Sequence, residues 1–207
     1  MPRIPLRQAH EVGPLLRIMY RYARKRFGKV PEPFMAYAHS PRFVTAAAMH
    51  EMLVQRAATR LPAELRELVV HRVATVVGCA WCVDFGTMLS ISAGFSVERH
   101  RELARYRASD AFTADEKLAL EYADAMTAQP MTVDDELVER LRATFDDGQV
   151  VELTYMISVE NLRARTNHAL GITSQGYTNG DACPLPYAQQ ISAAQAGHAP
   201  GRPAEPA

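Results

Sequence analysis

Apolar residues recur every three or four positions along most of this chain, and the alternation expected of strands is almost absent, so the pattern predicts a succession of helices. Leu15, Leu16, Met19, Tyr22, Ala23 and Phe27 set the first, and Gly28 ends it where a left-handed cap is wanted. A proline-rich link, Val30-Pro31-Glu32-Pro33, leads into a short helix near Phe34 to Ala38. Ser40 as a capping serine and Pro41 in the first turn open a long helix through Phe43, Ala47, Met49, Met52, Leu53 and Ala57. Leu61-Pro62 starts the next, with Leu65, Leu68, Val69, Val73 and Val76 facing inward as far as Gly78. A further helix carries Cys82, Phe85, Met88, Leu89 and Ile91 before Gly94 stops it, and Ser96 with Glu98 begins a short one.

The second half repeats the style. Thr113-Ala114-Asp115-Glu116 is a helix start with an acidic first turn, followed by Leu118, Leu120, Tyr122, Ala123 and Met126 before Pro130. Thr132-Val133-Asp134-Asp135 caps a helix carrying Leu137, Leu141 and Phe145. Asp146-Asp147-Gly148 reads as a turn, and the longest late helix runs from about Gln149 to Leu170 with Val150, Leu153, Ile157 and Leu162. Past Gly171 the periodicity stops. The expectation is therefore one all-α helical domain over residues 1–172 and an extended, flexible tail over 173–207, its last stretch from Ala194 having the composition of a disordered segment. Met19, Tyr20, Tyr22 and Phe27 put bulky apolar groups on more than one side of the first helix, which predicts subunit contacts and a homo-oligomer.

Charge narrows the partners. Lys plus Arg and Asp plus Glu each number 23 in 207 residues, so no electrostatic footprint for nucleic acid or an anionic membrane stands out. Apolar runs such as Val73 to Val77 are far too short to span a bilayer. The N-terminus lacks the apolar segment of a secretory signal, and three cysteines do not make a disulfide framework, so a reducing cytoplasm is the expected compartment. No phosphate-binding glycine motif and no GxSxG is present, and no cofactor is expected.

The chemistry concentrates in Cys79-Ala80-Trp81-Cys82, which follows Glu67 after eleven intervening residues. Two thiols one helical turn apart can close a disulfide. Glu67 offers a proton acceptor for a thiol whose free pKa, about 8.5, is too high for full ionisation at neutrality. CxxC is also half of a zinc site, but a structural zinc needs four ligands and no second pair follows at finger-like spacing. An inert pair of buried cysteines is the remaining reading. Cys183 in the tail reads as an exposed thiol rather than a resolving cysteine.

Several separated segments then carry a resemblance. Leu65-Arg66-Glu67-Leu68, Cys79-Ala80-Trp81-Cys82-Val83-Asp84-Phe85-Gly86, Glu121-Tyr122-Ala123-Asp124-Ala125-Met126 and Glu160-Asn161-Leu162-Arg163-Ala164-Arg165-Thr166-Asn167-His168-Ala169-Leu170-Gly171 are similar to the carboxymuconolactone decarboxylase and alkyl hydroperoxidase D superfamily, over roughly residues 40–172. The resemblance implies an alkyl hydroperoxidase D-like helical bundle that forms homo-oligomers. It implies a thiol-dependent peroxidase or disulfide oxidoreductase of antioxidant type, in which Glu67 accepts a proton and Cys79 and Cys82 are the redox pair. A dithiol donor of lipoyl or thioredoxin-like kind would reopen the disulfide.

One position departs from that pattern. The peroxidase motif continues to a histidine where this chain has Gly86, and glycine passes no proton. His71, four residues after Glu67 on a predicted helix, is one substitute, against the plainer reading that it lies on the polar flank beside Arg72. His168 is the other, against a capping role near a helix C-terminus. Trp81 is a lid or packing residue, and Asp84 neutralises a first turn or pairs with an arginine. A CxxC at a helix start aims backbone amides at the first sulfur and so favours Cys79 as nucleophile, whereas the resemblance favours Cys82. Two readings of other classes stand beside the redox one. A lyase like carboxymuconolactone decarboxylase itself needs no thiol, and a non-catalytic oligomeric member would keep only the fold.

Overall fold

A computed structural model describes residues 2–178; Cys183 and the rest of the expected tail, including the stretch from Ala194 expected to be disordered, lie outside the described residues. Among the described residues there is no strand, and the helices are α1 (Pro14–Phe27), α2 (Glu32–Tyr37), α3 (Pro41–Ala57), α4 (Ala63–Val77), α5 (Ala80–Ser92), α6 (Val97–Glu102), α7 (Ala114–Thr127), α8 (Asp135–Thr144) and α9 (Asp147–Ala169), with 3-10 turns at Ala9–Glu11 and Leu103–Arg105. The fold is all-α, as the periodicity predicts.

The centre is α4, which packs against α5, α7 and α9. Its Leu68, Val69 and Val73 meet Leu120 and Ala123 of α7 and Leu153 and Ile157 of α9, with Leu137 and Leu141 of α8 completing the core. Burial of this kind is the main stabilising term, at roughly 1.5–3 kcal/mol for each large side chain. Val76 stays only half-buried, because α4 turns that side outward near its end. In α1 the inward residues are Leu16, Tyr20 and Ala23, while Leu15 and Tyr22 face outward.

Local signals explain most of the boundaries. Gly28 takes φ 76° at the end of α1, in the left-handed region that favours glycine. Thr113 accepts from the Glu116 amide at 3.2 Å and Glu116 accepts from the Thr113 amide at 2.9 Å, a reciprocal capping box. Two expectations need correction. Ser40 sits at the N-cap of α3 without a side-chain capping bond, so Pro41, which lacks an N–H, carries that start by its fixed φ. Asp146-Asp147-Gly148 is not a separate turn. Asp146 accepts from the Gln149 amide at 2.8 Å and Gln149 returns the bond at 3.0 Å, so capping starts α9 two residues earlier and overrides the poor helix propensity of Gly148.

Both ends of the described chain are tied to the bundle. The Arg3 amide donates to the Leu170 carbonyl at 2.8 Å, and its guanidinium donates to that of Ala169 at 2.6 Å. Residues 173–178 form neither helix nor strand, and they lie against α5 rather than leading away from it. No helix among the described residues is long and apolar enough to cross a membrane.

Candidate active site

Gly78, with φ 78°, ends α4 and turns the chain so that Cys79 becomes the N-cap of α5. The Cys82 amide donates to Cys79 Sγ at 3.2 Å, which places the first sulfur in the field of the helix start. Cys79 and Cys82 are joined as a disulfide with Cα atoms 5.3 Å apart, inside the usual span of about 4.4–6.8 Å. The pair is enclosed: Cys79 is 1% exposed and Cys82 8%.

Asn167 is the residue that sequence reasoning missed. Its Nδ2 lies 3.4 Å from Cys82 Sγ and 3.7 Å from Cys79 Sγ, so one buried amide donates toward both sulfurs. Donors aimed at sulfur favour a thiolate over a thiol when the bond is open. A signal was present, since Asn167 continues the inward stripe of Leu153, Ile157, Glu160 and Ala164 on α9, where a polar side chain needs a partner. The neighbouring His168 points the other way. It is exposed, and its carbonyl accepts from Arg3 at 3.2 Å, so the structure does not bring this relay candidate to the pair.

Glu67 and His71 lie one turn apart on α4. Burial pushes the Glu67 carboxyl above its usual range, with the nearby charges of Arg163 and Arg66 partly offsetting it. Beyond it stands a second carboxylate that the motif reading passed over. Glu160 is 3% exposed, and its Oε1 has no hydrogen-bond partner among the described residues. Burial pushes it up to about 7, against the pull of Arg163, while the negative Glu51 and Glu67 raise it further. Arg163 joins the group, donating to Glu160 at 3.2 Å and pairing with Glu51. Glu160 therefore has both its protonated and its ionised form accessible near neutrality, beside a Glu67 carboxyl that burial also raises.

His71 does not lie on a polar flank. It is 4% exposed and stacks on His100 with ring centroids 4.3 Å apart. A β-carbon at Gly86 would lie 3.7 Å from His71 Nδ1, so the imidazole stands beside the position where the peroxidase motif carries its histidine. Burial, reinforced by His100, depresses His71 to about 3, and burial, reinforced by Arg99 and opposed by Glu64, depresses His100 to about 4. Both rings are therefore neutral at physiological pH.

This pair gives a pH-dependent stability. Its folded pKa values fall below the unfolded value of about 6.5, so the neutral rings cost nothing above that pH, and stability is lost as pH falls from there toward 4. Glu160, raised in the fold, acts in the opposite sense over part of that window. The difference between wild type and His71→Phe isolates the imidazole. Denaturant titrations should show the variant gaining on the wild type by about 1.4 kcal/mol per pH unit between roughly pH 6 and 4. A constant difference would mean that His71 is not buried neutral.

Among the described residues Asp84 pairs with no arginine. It is 1% exposed and receives five hydrogen bonds from the segment after α9: the Ser174 hydroxyl at 2.9 Å, the amides of Gln175, Tyr177 and Thr178 at 3.0 Å each, and the Thr178 hydroxyl at 2.9 Å. Burial would raise its pKa, but these donors hold it below the usual carboxylate value. Trp81 is walled in between Phe85, stacked at 4.6 Å, and Gln175, whose Oε1 accepts from the indole N–H at 3.1 Å. No group of three or more His, Cys, Asp or Glu among the described residues is placed to hold a metal ion.

Known proteins resemble this chain in sequence and in fold. The sequence profile of the carboxymuconolactone decarboxylase family matches residues 39–125. Over 153 residues the chain is 36% identical to YnjA of Escherichia coli, an uncharacterised protein, across 74% of this chain and 84% of that one. Among solved structures, an uncharacterised peroxidase-related protein from Silicibacter superposes with a TM-score of 0.77 at 18% identity, covering 86% of this chain and 94% of that one. A protein of unknown function from Agrobacterium tumefaciens, put forward as the antioxidant defence protein AhpD, gives a TM-score of 0.62 at 27% identity over 67% of this chain and 94% of that one. With a relative at 36% identity matched along most of its length and a family profile matching residues 39–125, the chain belongs to the carboxymuconolactone decarboxylase family.

Proposed function

We propose that the protein is a thiol-dependent peroxidase that cycles Cys79 and Cys82 between dithiol and disulfide. The observation that carries this reading is the bridged pair at a helix start with Asn167 directed at both sulfurs, an arrangement that an inert core pair does not need. In the oxidising half, a cysteine thiolate attacks one peroxide oxygen, the O–O bond breaks, and the sulfur becomes a sulfenic acid as the leaving oxygen takes a proton to form an alcohol or water. The second thiol then displaces water from the sulfenic acid and closes the disulfide. Two electrons have passed from the pair to the peroxide. A dithiol of lipoyl or thioredoxin-like class restores both thiols.

Glu67 takes the thiol proton in this scheme. Glu160, buried near Glu67, is the carboxyl that can share this proton, whereas His71, depressed to about 3 and held neutral, is a packing group beside Gly86. Glu67→Gln should slow peroxide reduction near pH 7 by about a hundredfold and recover as pH approaches the thiol's own pKa near 8.5. A variant that kept the wild-type pH–rate profile would make Glu67 a structural carboxylate. Assembly belongs to the same reading. Phe43 and Leu53 of α3 and Leu15 and Tyr22 of α1 are exposed apolar groups suited to a second copy of the chain. Light scattering should give an oligomer, and a stable monomer at micromolar concentration would contradict this.

A further inference from the structure

The segment 172–178 covers the cysteine turn from outside the bundle. Ile172, 4% exposed, packs into the same cluster as Cys79, Cys82 and Ala164, with Tyr177 and Phe85 against it. Its polar atoms fasten at two places. On one side Asp84, two residues past Cys82, takes the five bonds described above. On the other, the link between α1 and α2 holds the segment: Lys29 Nζ donates to the Gln175 and Gly176 carbonyls at 2.8 Å each, Gln175 Nε2 donates to the Val30 carbonyl at 2.8 Å, and the Glu32 amide donates to Gln175 Oε1 at 3.1 Å. Gln175 also holds the indole of Trp81, the residue between the two cysteines. Tyr177 closes edge-on over Phe85 at 5.2 Å.

That arrangement meets a chemical requirement. To reopen the disulfide, a dithiol's thiolate must approach one sulfur in line with the S–S bond and form a mixed disulfide, releasing the other cysteine as thiolate. The dithiol's second thiol then closes its own disulfide and frees the first cysteine; two electrons pass to the pair, and protons from the dithiol restore both thiols. With Cys79 1% and Cys82 8% exposed, no such line of approach is open. Trp81 and Ile172 lie in the same apolar cluster as the two cysteines, together with Ala36, Ala74, Val83 and Ala164.

We infer that residues 172–178 form a latched strap that determines which dithiols reach the Cys79–Cys82 bond, with Asp84 and Gln175 as its positioning residues. A small dithiol passes on a brief opening, and a protein dithiol needs the strap fully lifted. Selectivity is then set by the latch rather than by the cysteines. This rests on the redox reading of the pair, and the test follows opening of the disulfide and not peroxide turnover, so the two can fail separately.

The test uses oxidised full-length protein and its Asp84→Asn variant, which puts an amide among donors that a carboxylate now serves. Loss of the Cys79–Cys82 disulfide is followed with dithiothreitol and with a thioredoxin, while hydrogen exchange reports the Gln175, Tyr177 and Thr178 amides. The strap predicts that these amides exchange faster in the variant, that dithiothreitol reduces it about tenfold faster, and that the gain with thioredoxin is larger still. Amides that exchange faster while the disulfide opens at the wild-type rate with both reagents would overturn the proposal. So would amides as protected as in the wild type, since Asp84 would then not be the latch. If Asp84→Asn loses its helical signal, Gln175→Ala releases Trp81 and the Val30 carbonyl from the outer side and is read by the same two rates.

Discussion

Replacing either Cys79 or Cys82 by serine should reduce dithiol-dependent peroxide turnover by at least about a thousandfold while leaving the helical content unchanged. Serine is nearly isosteric with cysteine, and Asn167 can donate to its hydroxyl, so the buried turn keeps a partner for its amide. The hydroxyl cannot be oxidised by peroxide, and the cycle stops. The two variants should still differ from one another. The one that retains the attacking cysteine will form a sulfenic acid with one equivalent of peroxide, and trapping that acid identifies the nucleophile. Cys79 has the α5 amide on its sulfur and Cys82 has the shorter contact to Asn167, so the geometry supplies a stabilising donor to each. Steady-state turnover in both variants near the wild-type rate would remove the pair from the chemistry.

The second large effect is on the fold. Asp124, within the Glu121 to Met126 segment, anchors a polar knot between α4, α7 and the loop before α7. Arg72 donates to it from Nε at 2.6 Å and Nη2 at 3.1 Å, the Tyr106 hydroxyl at 3.0 Å and Arg107 at 3.0 Å. Arg72 and Arg107 also lie over the Tyr106 ring, at 5.3 and 4.6 Å from its centroid. Asp124→Ala would leave the guanidinium of Arg72, only 15% exposed, without its carboxylate. Breaking such a pair costs roughly 3 kcal/mol, which should appear as a lower denaturant midpoint with little change in slope. A shift below about 0.5 kcal/mol, as for an ordinary surface substitution, would show that water replaces the carboxylate at no cost.

What was legible in the chain follows from the range of the interactions involved. Gly28, the Thr113–Glu116 box and the glycine before Cys79 act within one turn, and each boundary they set is local. The inward face of α4 was legible for the same reason, through Leu68, Val69 and Val73; in α9 Leu153 and Ile157 face inward, but Leu162 of the same apolar series is 60% exposed. The bridging of Cys79 and Cys82 needs only three residues of separation. The rest of the site is made of contacts between distant parts of the chain. Asn167 reaches the sulfurs from α9, His71 meets His100 from α6, and Asp84 collects its donors from residues 174–178, ninety or more positions away. No local pattern encodes those pairings. Asn167 and His168 differ only in helix phase: a shift of one residue moves a side chain by about 100° around the axis, here from the sulfurs to solvent.

The most direct measurement is a thiol count on fully reduced protein before and after one equivalent of peroxide, with the bonded cysteines located by peptide mapping. The chain has three cysteines. The account predicts that two thiols per chain disappear and are recovered as a Cys79–Cys82 disulfide that a dithiol reopens. A count that stays at three, or a loss confined to Cys183, would contradict it.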